Sequence, residues 1–295
     1  MDYRDKVFLR VAENLSFSKA ADDLFISQPA VTKHVKELEN KLGIALFERV
    51  GNKIKLTTAG NLCYNHLKEI REQYENLKFQ IGKLNDRFRG RLIIGASSTI
   101  AQYIIPSAIG AFYKKYPGIE ICLINGNSRE MEEKLLEKRI DIALVENFSK
   151  QTNIHYEDFL EDEIVVVTSP HSLYGKLSSI SAIDLETLPM VLREKGSGTL
   201  EVINNLLGLA SVKIHQLNVV MHLGSTESIK NFLSNFDGVA LVSKRSVERE
   251  LIDNRLKILP IKNIHVKRQL RIAQRQGPLS ETASLFYDFL RKHNF

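Results

Sequence analysis

Residues 24–43 read "LFISQPAVTKHVKELENKLG", and this stretch decides the fold. Val31, Val35, Leu38 and Leu42 recur at i, i+4, i+7 and i+11, which is one apolar stripe of an α-helix from about Ser27 to Leu42. Pro29 stands in the first turn, where its missing N–H costs nothing, and Gly43 is placed to end the helix. The opposite face carries Gln28, Thr32, Lys33 and Lys36, none of which folding requires. Hydrogen-bonding side chains gathered at the N-terminal end of a short helix ask for an external partner.

Upstream, "VFLRVAENLSFSKAADDLF" (7–25) holds two more helices. Val7, Phe8, Val11 and Ala12 share one face of the first. Ser16 or Ser18 caps the second, whose Phe17, Ala20, Ala21 and Leu24 face one way. Two short helices, a tight turn and a third helix with a polar outer face make a helix-turn-helix. The third helix of such a motif enters the DNA major groove by its N-terminal end. Gln28 can pair bidentately with adenine, Lys33 can donate to guanine or phosphate, and Thr32 can reach either. Ser27 and Pro29 open the helix, whose N-terminal N–H groups favour a phosphate, and Lys36 extends the face. On this helix alone, a three-helix packing unit with a solvated face is an equal reading.

Downstream, "ALFERVGNKIKLTTAG" (45–60) shifts the balance. It predicts strands near Leu46–Arg49 and Lys53–Thr57 with a turn at Gly51-Asn52, hence a wing with Arg49, Lys53 and Lys55 toward the phosphates. A helix from about Thr58 to Arg89 follows. Cys63, Leu67, Ile70, Tyr74, Leu77, Ile81, Leu84 and Phe88 alternate four and three apart, while Lys68, Glu69, Arg71, Glu72 and Lys78 lie outside the stripe. That heptad pattern predicts a homodimer, and a dimer of such heads predicts two DNA half-sites. "RFRGRL" (87–92) then breaks the helix at Gly90 as a hinge.

At 295 residues the chain exceeds one typical core, so two or three domains are expected. Its 43% hydrophobic and 26% charged content is that of a soluble globular protein. Of the net +6, residues 1–90 supply +4, from 16 Lys+Arg against 12 Asp+Glu, so the basic excess sits at the DNA-facing end. Cys63 and Cys122 form no CxxC, which argues against a disulfide framework or a cysteine-rich metal site. The charged N-terminus lacks a signal-peptide core, and no apolar run approaches a membrane span. A cytoplasmic location and no membrane partner are the expectation.

After Gly90 the pattern alternates. Strands are predicted in "RLIIGAS", "EICLING", "IDIALVE", "EIVVVTS", "PMVLRE", "NVVMHLG", "GVALVSK" and "VKRQLRIAQ", with helices over 105–116, 128–139, 199–209, 226–235, 244–252 and 280–293. Such alternation gives α/β layers that bind ligands at the carboxyl ends of strands. Four strand ends carry polar loops, "GASSTIAQ", "NGNSRE", "REKGSGTLE" and "LGSTESI". In any one loop, Ser and Thr serve as helix caps. Several together, with Gly196 and Gly198 flanking Ser197, make an anion nest.

The segment "FSKAADDLFISQPAVTKHVKELENKLGIALFERVGNKIKLTTAG" resembles the winged helix-turn-helix of LysR-type transcriptional regulators. The matching elements are Ala20-Ala21, Ser27-Gln28-Pro29-Ala30-Val31, Leu38-Glu39, Leu42-Gly43, Leu46-Phe47, Arg49 and Leu56-Thr57-x-Ala59-Gly60. The family carries a second Arg in the wing where this chain has Asn52. The resemblance covers essentially the whole chain and implies an α+β, two-part molecule. A winged helix-turn-helix (1–60) and a dimerisation linker helix (58–89) precede an α/β effector domain (91–295) like the periplasmic binding proteins. Its two subdomains, about 91–165 with 268–295 and about 166–267, are joined by crossover strands, and a small effector lies between them.

Carried over by position, Ser97, Ser98, Thr99, Gln102, Asn127, Ser128, Ser197, Gly198, Thr199, Ser225 and Thr226 line that cleft. "REKGSGT" resembles the "REPGSGTR" of branches responding to sulfur oxoanions or phosphorylated carbon metabolites. Lys195 replaces Pro and Leu200 replaces Arg, so the cation of that last position is missing or moved. The implied effector is an oxoanion or carboxylate, and the implied assembly is a homodimer that extends to a tetramer. No cofactor or metal is implied.

The eight histidines stand at no metal-ligand spacing, and no HExxH, GxSxG, Walker loop or GxGxxG occurs. An enzyme or binding protein with an appended helical head is the competing class. Against it stand the absence of a nucleophile–base set and the presence of a heptad-bearing linker. No catalytic residue is predicted.

Overall fold

The computed structural model describes residues 1–51, 53–84, 88–148, 150–209 and 214–295. The chain divides into two compact units, Met1–Arg87 and Phe88–Phe295.

The first unit contains α1 (Tyr3–Asn14), α2 (Phe17–Leu24), α3 (Gln28–Leu42), β1 (Phe47–Val50), β2 (Lys53–Leu56) and α4 (Thr58–Lys83). Asp2, Ser16, Ser27 and Thr57 cap the four helices, each accepting a backbone N–H within the first turn. Ser16, not Ser18, is the cap of α2. Val7 and Val11 of α1 meet Ala20 and Ala21 of α2 and Val31 and Val35 of α3 in one core. The two alanines let the helices cross closely. Leu42 departs from the predicted stripe and is 49% exposed. The chain turns away beside it, with Gly43 left-handed at φ 70° and Glu39 accepting the N–H groups of Leu46 and Phe47.

β1 and β2 form the antiparallel hairpin, one residue later in β1 than predicted. The turn residue Asn52 lies outside the described residues. α4 stops at Lys83, short of the predicted Arg89. Gly82 weakens its last turn. Phe88, expected as the final seam residue, instead stacks edge-on against Tyr116 of the second unit, with ring centroids 5.0 Å apart. Asn85, Asp86 and Arg87, in the predicted seam and hinge, lie outside the described residues. The stripe itself divides. Cys63 and Leu67 pack against the α1 core, whereas Ile70, Tyr74, Leu77, Ile81 and Leu84 are exposed.

The second unit runs β3 (Gly90–Ser97), α5 (Ile105–Lys115), β4 (Ile119–Gly126), α6 (Ser128–Leu136), β5 (Ile142–Val145), β6 (Ile154–Thr168), β7 (Met190–Arg193), α7 (Gly198–Leu209), β8 (Val219–Leu223), α8 (Thr226–Leu233), β9 (Val239–Ser243), α9 (Glu248–Ile252), β10 (Lys257–Ile258), β11 (Val266–Arg275) and α10 (Glu281–Leu290). A continuous sheet has the order β4-β3-β5-β11-β6-β9-β7-β8, with β10 on β6. β4-β3-β5 and β9-β7-β8 are parallel, as the βα alternation requires. β6 and β11 are antiparallel to each other and to both halves. They are the crossover strands that make two subdomains from one sheet.

Each crossover strand serves two cores. Ile154 and Ala273 pack with Met131, Leu135 and Val145 in the first subdomain. Ile164, Val166 and Val266 pack with Leu192, Val202 and Leu241 in the second. Between these ends the two strands carry a buried polar hub. Arg268 of β11 lies opposite Asp162 of β6 and donates to Asp162 Oδ2 through Nε at 2.8 Å, with Nη2 2.6 Å from the same oxygen as an ion-pair contact. Arg268 Nη1 reaches Glu146 Oε2 at 3.1 Å, just past β5. Ser243, ending β9, donates to the other Asp162 oxygen at 2.8 Å. The hub thus ties the crossover strands to a strand end of each subdomain.

No described helix is long and apolar enough to cross a membrane. Removing one partner of a buried ion pair strands the other charge, at a cost of about 3–5 kcal/mol. Arg268→Ala leaves Asp162 and Glu146 unpaired together. Urea unfolding of the full chain should show the Phe88–Phe295 unit destabilised by about that amount; a loss within ~0.5 kcal/mol would remove the hub from its structural role.

Candidate functional site

The first candidate surface is the N-terminal end of α3. Ser27, Gln28, Pro29, Lys33 and Lys36 are exposed there. Ser27 accepts the N–H of Ala30 (3.4 Å) and keeps its own O–H to donate. Thr32 is half-buried and gives its O–H to the Gln28 carbonyl at 3.0 Å, so its methyl and lone pairs are what it presents. Lys33 is only 4.0 Å from Glu37, an exposed and weak pair. In the wing the register places Arg49 opposite Ile54 on the face shared with Phe47 and Leu56. Lys53 and Lys55 project from the other face. The three wing cations predicted together therefore point two ways. The turn before α3 also holds Phe25, left-handed at φ 54° and 95% exposed, which the sequence pattern did not single out.

The second candidate surface lies where strand ends of the two subdomains meet. From the first subdomain come the residues after β3, which enter α5 through one π-helical turn (Ile100–Ile104), and Asn127, which caps α6. From the second come the loops entering α7 and α8. Ser97, Thr99 and Ser197 are buried there, and their hydroxyls have no hydrogen-bond partner. A buried hydroxyl left so is costly. Ser98 is also buried and donates to the Gly126 carbonyl at 3.0 Å. Gln102 is exposed on the π-helical turn. Asn127 Oδ1 accepts the Glu130 N–H (2.9 Å), and Ser225 Oγ accepts that of Ser228 (3.1 Å), both as helix caps.

Around α7 the predicted residues have structural partners. Ser128 accepts the Glu146 N–H at 3.4 Å. Thr199 donates to Glu146 (2.9 Å) and accepts from Arg268 (3.0 Å), so it belongs to the crossover hub. A Cβ on Gly198 would meet Ser128 Oγ and Glu146 Cγ, each at 2.6 Å. Its bareness lets the start of α7 approach the first subdomain.

The residue that sequence reasoning passed over is Arg193, the last residue of β7 and 1% exposed. It stands at the head of "REKGSGT", in which Lys195 and Leu200 drew the comparison. An arginine closing an otherwise apolar strand was the available signal. Its Nη2 reaches Ser98 Oγ (3.4 Å) in the first subdomain and the Gly224 carbonyl (3.4 Å) in the second; Nη1 reaches Thr226 Oγ1 at 3.5 Å. All three are long. Its Nε and Nη2 make a closer, bidentate pair with Glu194, at 2.8 and 3.0 Å.

Beside it a second bridge spans the subdomains. Tyr103 donates to Glu227 of α8 at 2.6 Å, and Lys230 Nζ lies 4.9 Å from the Tyr103 ring centroid. Buried Lys230 also reaches Glu227 (2.7 Å), Glu250 (3.0 Å) and the Ser246 carbonyl (3.0 Å). Burial and then the Glu227 hydrogen bond push the Tyr103 phenol above its usual range. Burial pushes Glu227 upward, but its bonds from Lys230 and Tyr103 outweigh that and hold it below the usual carboxylate range. Among the described residues, no cluster of His, Cys, Asp and Glu is arranged to hold a metal ion.

Comparison with known proteins places both units. Residues 6–61 match the bacterial regulatory helix-turn-helix protein, lysR family, and residues 85–294 match the LysR substrate binding domain. A "Probable RuBisCO transcriptional regulator" of Thalassiosira pseudonana is 35% identical over 272 residues, covering 90% of this chain and 89% of its own. The HTH-type transcriptional regulator CysL of Bacillus subtilis (strain 168) is 32% identical over 266 residues, with 90% and 88% covered. Among solved structures, the CcmR regulatory domain of Synechocystis PCC6803 in complex with 2-PG has a TM-score of 0.63 and 29% identity, covering 69% of this chain and 97% of that one.

Proposed function

The chain belongs to the LysR family of bacterial transcriptional regulators, and we propose that its C-terminal unit holds a small anion between the two subdomains at Arg193. The observation that carries this reading is a wholly buried guanidinium at a strand end, touching both subdomains, near buried hydroxyls that lack partners. A guanidinium fork suits phosphate, sulfate and carboxylate alike. The 2-PG of the Synechocystis regulatory domain is an anion of this kind. Ser97, Ser98, Thr99, Ser197 and Thr226 are the remaining polar contacts we assign to the effector. Asn127 and Ser225 frame the rim as caps, Gln102 lies outside it, and Ser128, Gly198 and Thr199 hold the closed packing of α7.

The division of labour follows the two units. Residues 1–60 form the DNA-binding head, in which Ser27, Gln28, Pro29, Thr32, Lys33 and Lys36 face the major groove. Lys53 and Lys55 track one side of the adjoining phosphates and Arg49 the other. Ile70, Tyr74, Leu77, Ile81 and Leu84 form the seam of a homodimer, which brings two heads to two half-sites and can pair into a tetramer. The protein acts in the cytoplasm and performs no chemistry on its ligand.

Hydrogen bonds to a charged ligand contribute about 1.5–3 kcal/mol each. Arg193→Gln should therefore weaken binding of 2-phosphoglycolate, inorganic phosphate or sulfate to the full chain by roughly ten-fold or more. Calorimetry tests this, and unchanged affinity of Arg193→Gln for all three anions would move the anion away from Arg193. On DNA, Gln28→Ala should cost about 1–3 kcal/mol at the cognate site and relax one base position. Lys53→Ala should weaken all sequences alike and lower the salt slope by about 1. Equal losses on cognate and random DNA for both variants would reverse the base-reading assignment. Leu77→Asp places a charge in the seam. Sedimentation should then show monomers, and an unchanged dimer would move the interface elsewhere.

A further inference from the structure

We propose that Glu194 is a built-in competitor for the effector: it occupies the Nε–Nη2 fork of Arg193 and is displaced when two oxygens of an oxoanion take that fork. This rests on the reading of the cleft as an anion site.

The two edges of Arg193 are used unequally. The edge toward Glu194 carries a close bidentate pair at 2.8 and 3.0 Å. The contacts to Ser98, Thr226 and Gly224 lie at 3.4–3.5 Å. The guanidinium is thus held by Glu194 more tightly than by the walls of the cleft. A carboxylate sharing a planar fork leaves no room for a second anion on the same edge, and two like charges there would repel.

The two partners differ in freedom. The Arg193 side chain is 1% exposed and its carbonyl is fixed by His222 Nδ1 at 2.9 Å. The Glu194 side chain is 27% exposed. Exchange therefore proceeds by Glu194 turning toward water while Arg193 stays in place.

This arrangement selects among anions. A tethered carboxylate is present at a high effective concentration. A simple monocarboxylate replaces it like for like and gains nothing at the fork. A tetrahedral oxoanion places two oxygens on the fork and keeps others for further donors. Ser97, Thr99 and Ser197 offer buried hydroxyls that no protein group uses. The favoured class is a sulfate or a phosphate monoester, with simple carboxylates discriminated against.

Calorimetry on the full-length protein tests the idea, with sulfate, 2-phosphoglycolate and acetate as probes. Glu194→Gln should bind sulfate and 2-phosphoglycolate about ten-fold more tightly, equivalent to ~1.4 kcal/mol. Glu194→Asp keeps the charge but is one methylene too short to span the fork from the adjacent residue. It should also bind more tightly, and acetate should gain affinity in both variants. Tightening by Glu194→Gln alone would show that only the local charge matters and would overturn the competitor. Unchanged or weakened sulfate and 2-phosphoglycolate binding in both variants would overturn it too, assigning Glu194 to positioning Arg193, while the anion site itself stands. Absence of binding in the parent and in both variants would overturn the anion site and the competitor together.

Discussion

The second unit depends on one buried cation. Arg268 sits where the two crossover strands pass each other, and its guanidinium cannot be solvated there. Placing such a charge in the interior costs several kcal/mol unless it is matched. Asp162 matches it from the facing strand, and Glu146 matches it from the end of β5. Thr199 then shares Glu146, and Ser243 shares Asp162. Satisfying one arginine thus fixes the relation of β5, β6, β9, β11 and the start of α7. Of the loops at the strand ends, the hub holds the one that opens α7, through Thr199.

The hub also explains why the residues predicted to line the cleft divide as they do. Thr199 and Gly198 look like cleft residues in sequence because they lie in a Gly-Ser-Gly-Thr loop at a helix start. In three dimensions Thr199 turns to the hub, and Gly198 meets Ser128 and Glu146 at close packing distance. Ser197 and, across the cleft, Ser97 and Thr99 remain buried with unused hydroxyls. A sequence shows which residues can bind, but not which partners have already claimed them. Thr199's partners lie 53 and 69 positions away, beyond any local pattern.

Local physics made the head readable. Apolar spacing, a polar residue opening each of α2 and α3 and a glycine after α3 are short-range signals, and each specifies its helix without distant contacts. The inner parallel strands β5, β7 and β9 were equally plain, being apolar runs buried on both faces. The first half of β6 was not, because Ile154–Asp162 is a polar stretch whose strand character comes from pairing with β11. Leu42 and Phe88 failed for a related reason: a periodic stripe predicts a shared face, but only the neighbouring chain decides where that face stops being covered.

Arg193 has a further consequence for how the cleft can signal. A ligand changes an equilibrium only by interacting differently with two arrangements. Arg193 to Ser98 and Tyr103 to Glu227 are two of the contacts that join the subdomains, beside Thr199 to Glu146 and the Phe148 N–H to Glu201. The first is long, while the second is short and is supported by buried Lys230. On the reading proposed above, an anion on Arg193 acts on the longer of these two contacts, from the β7 side toward Ser98.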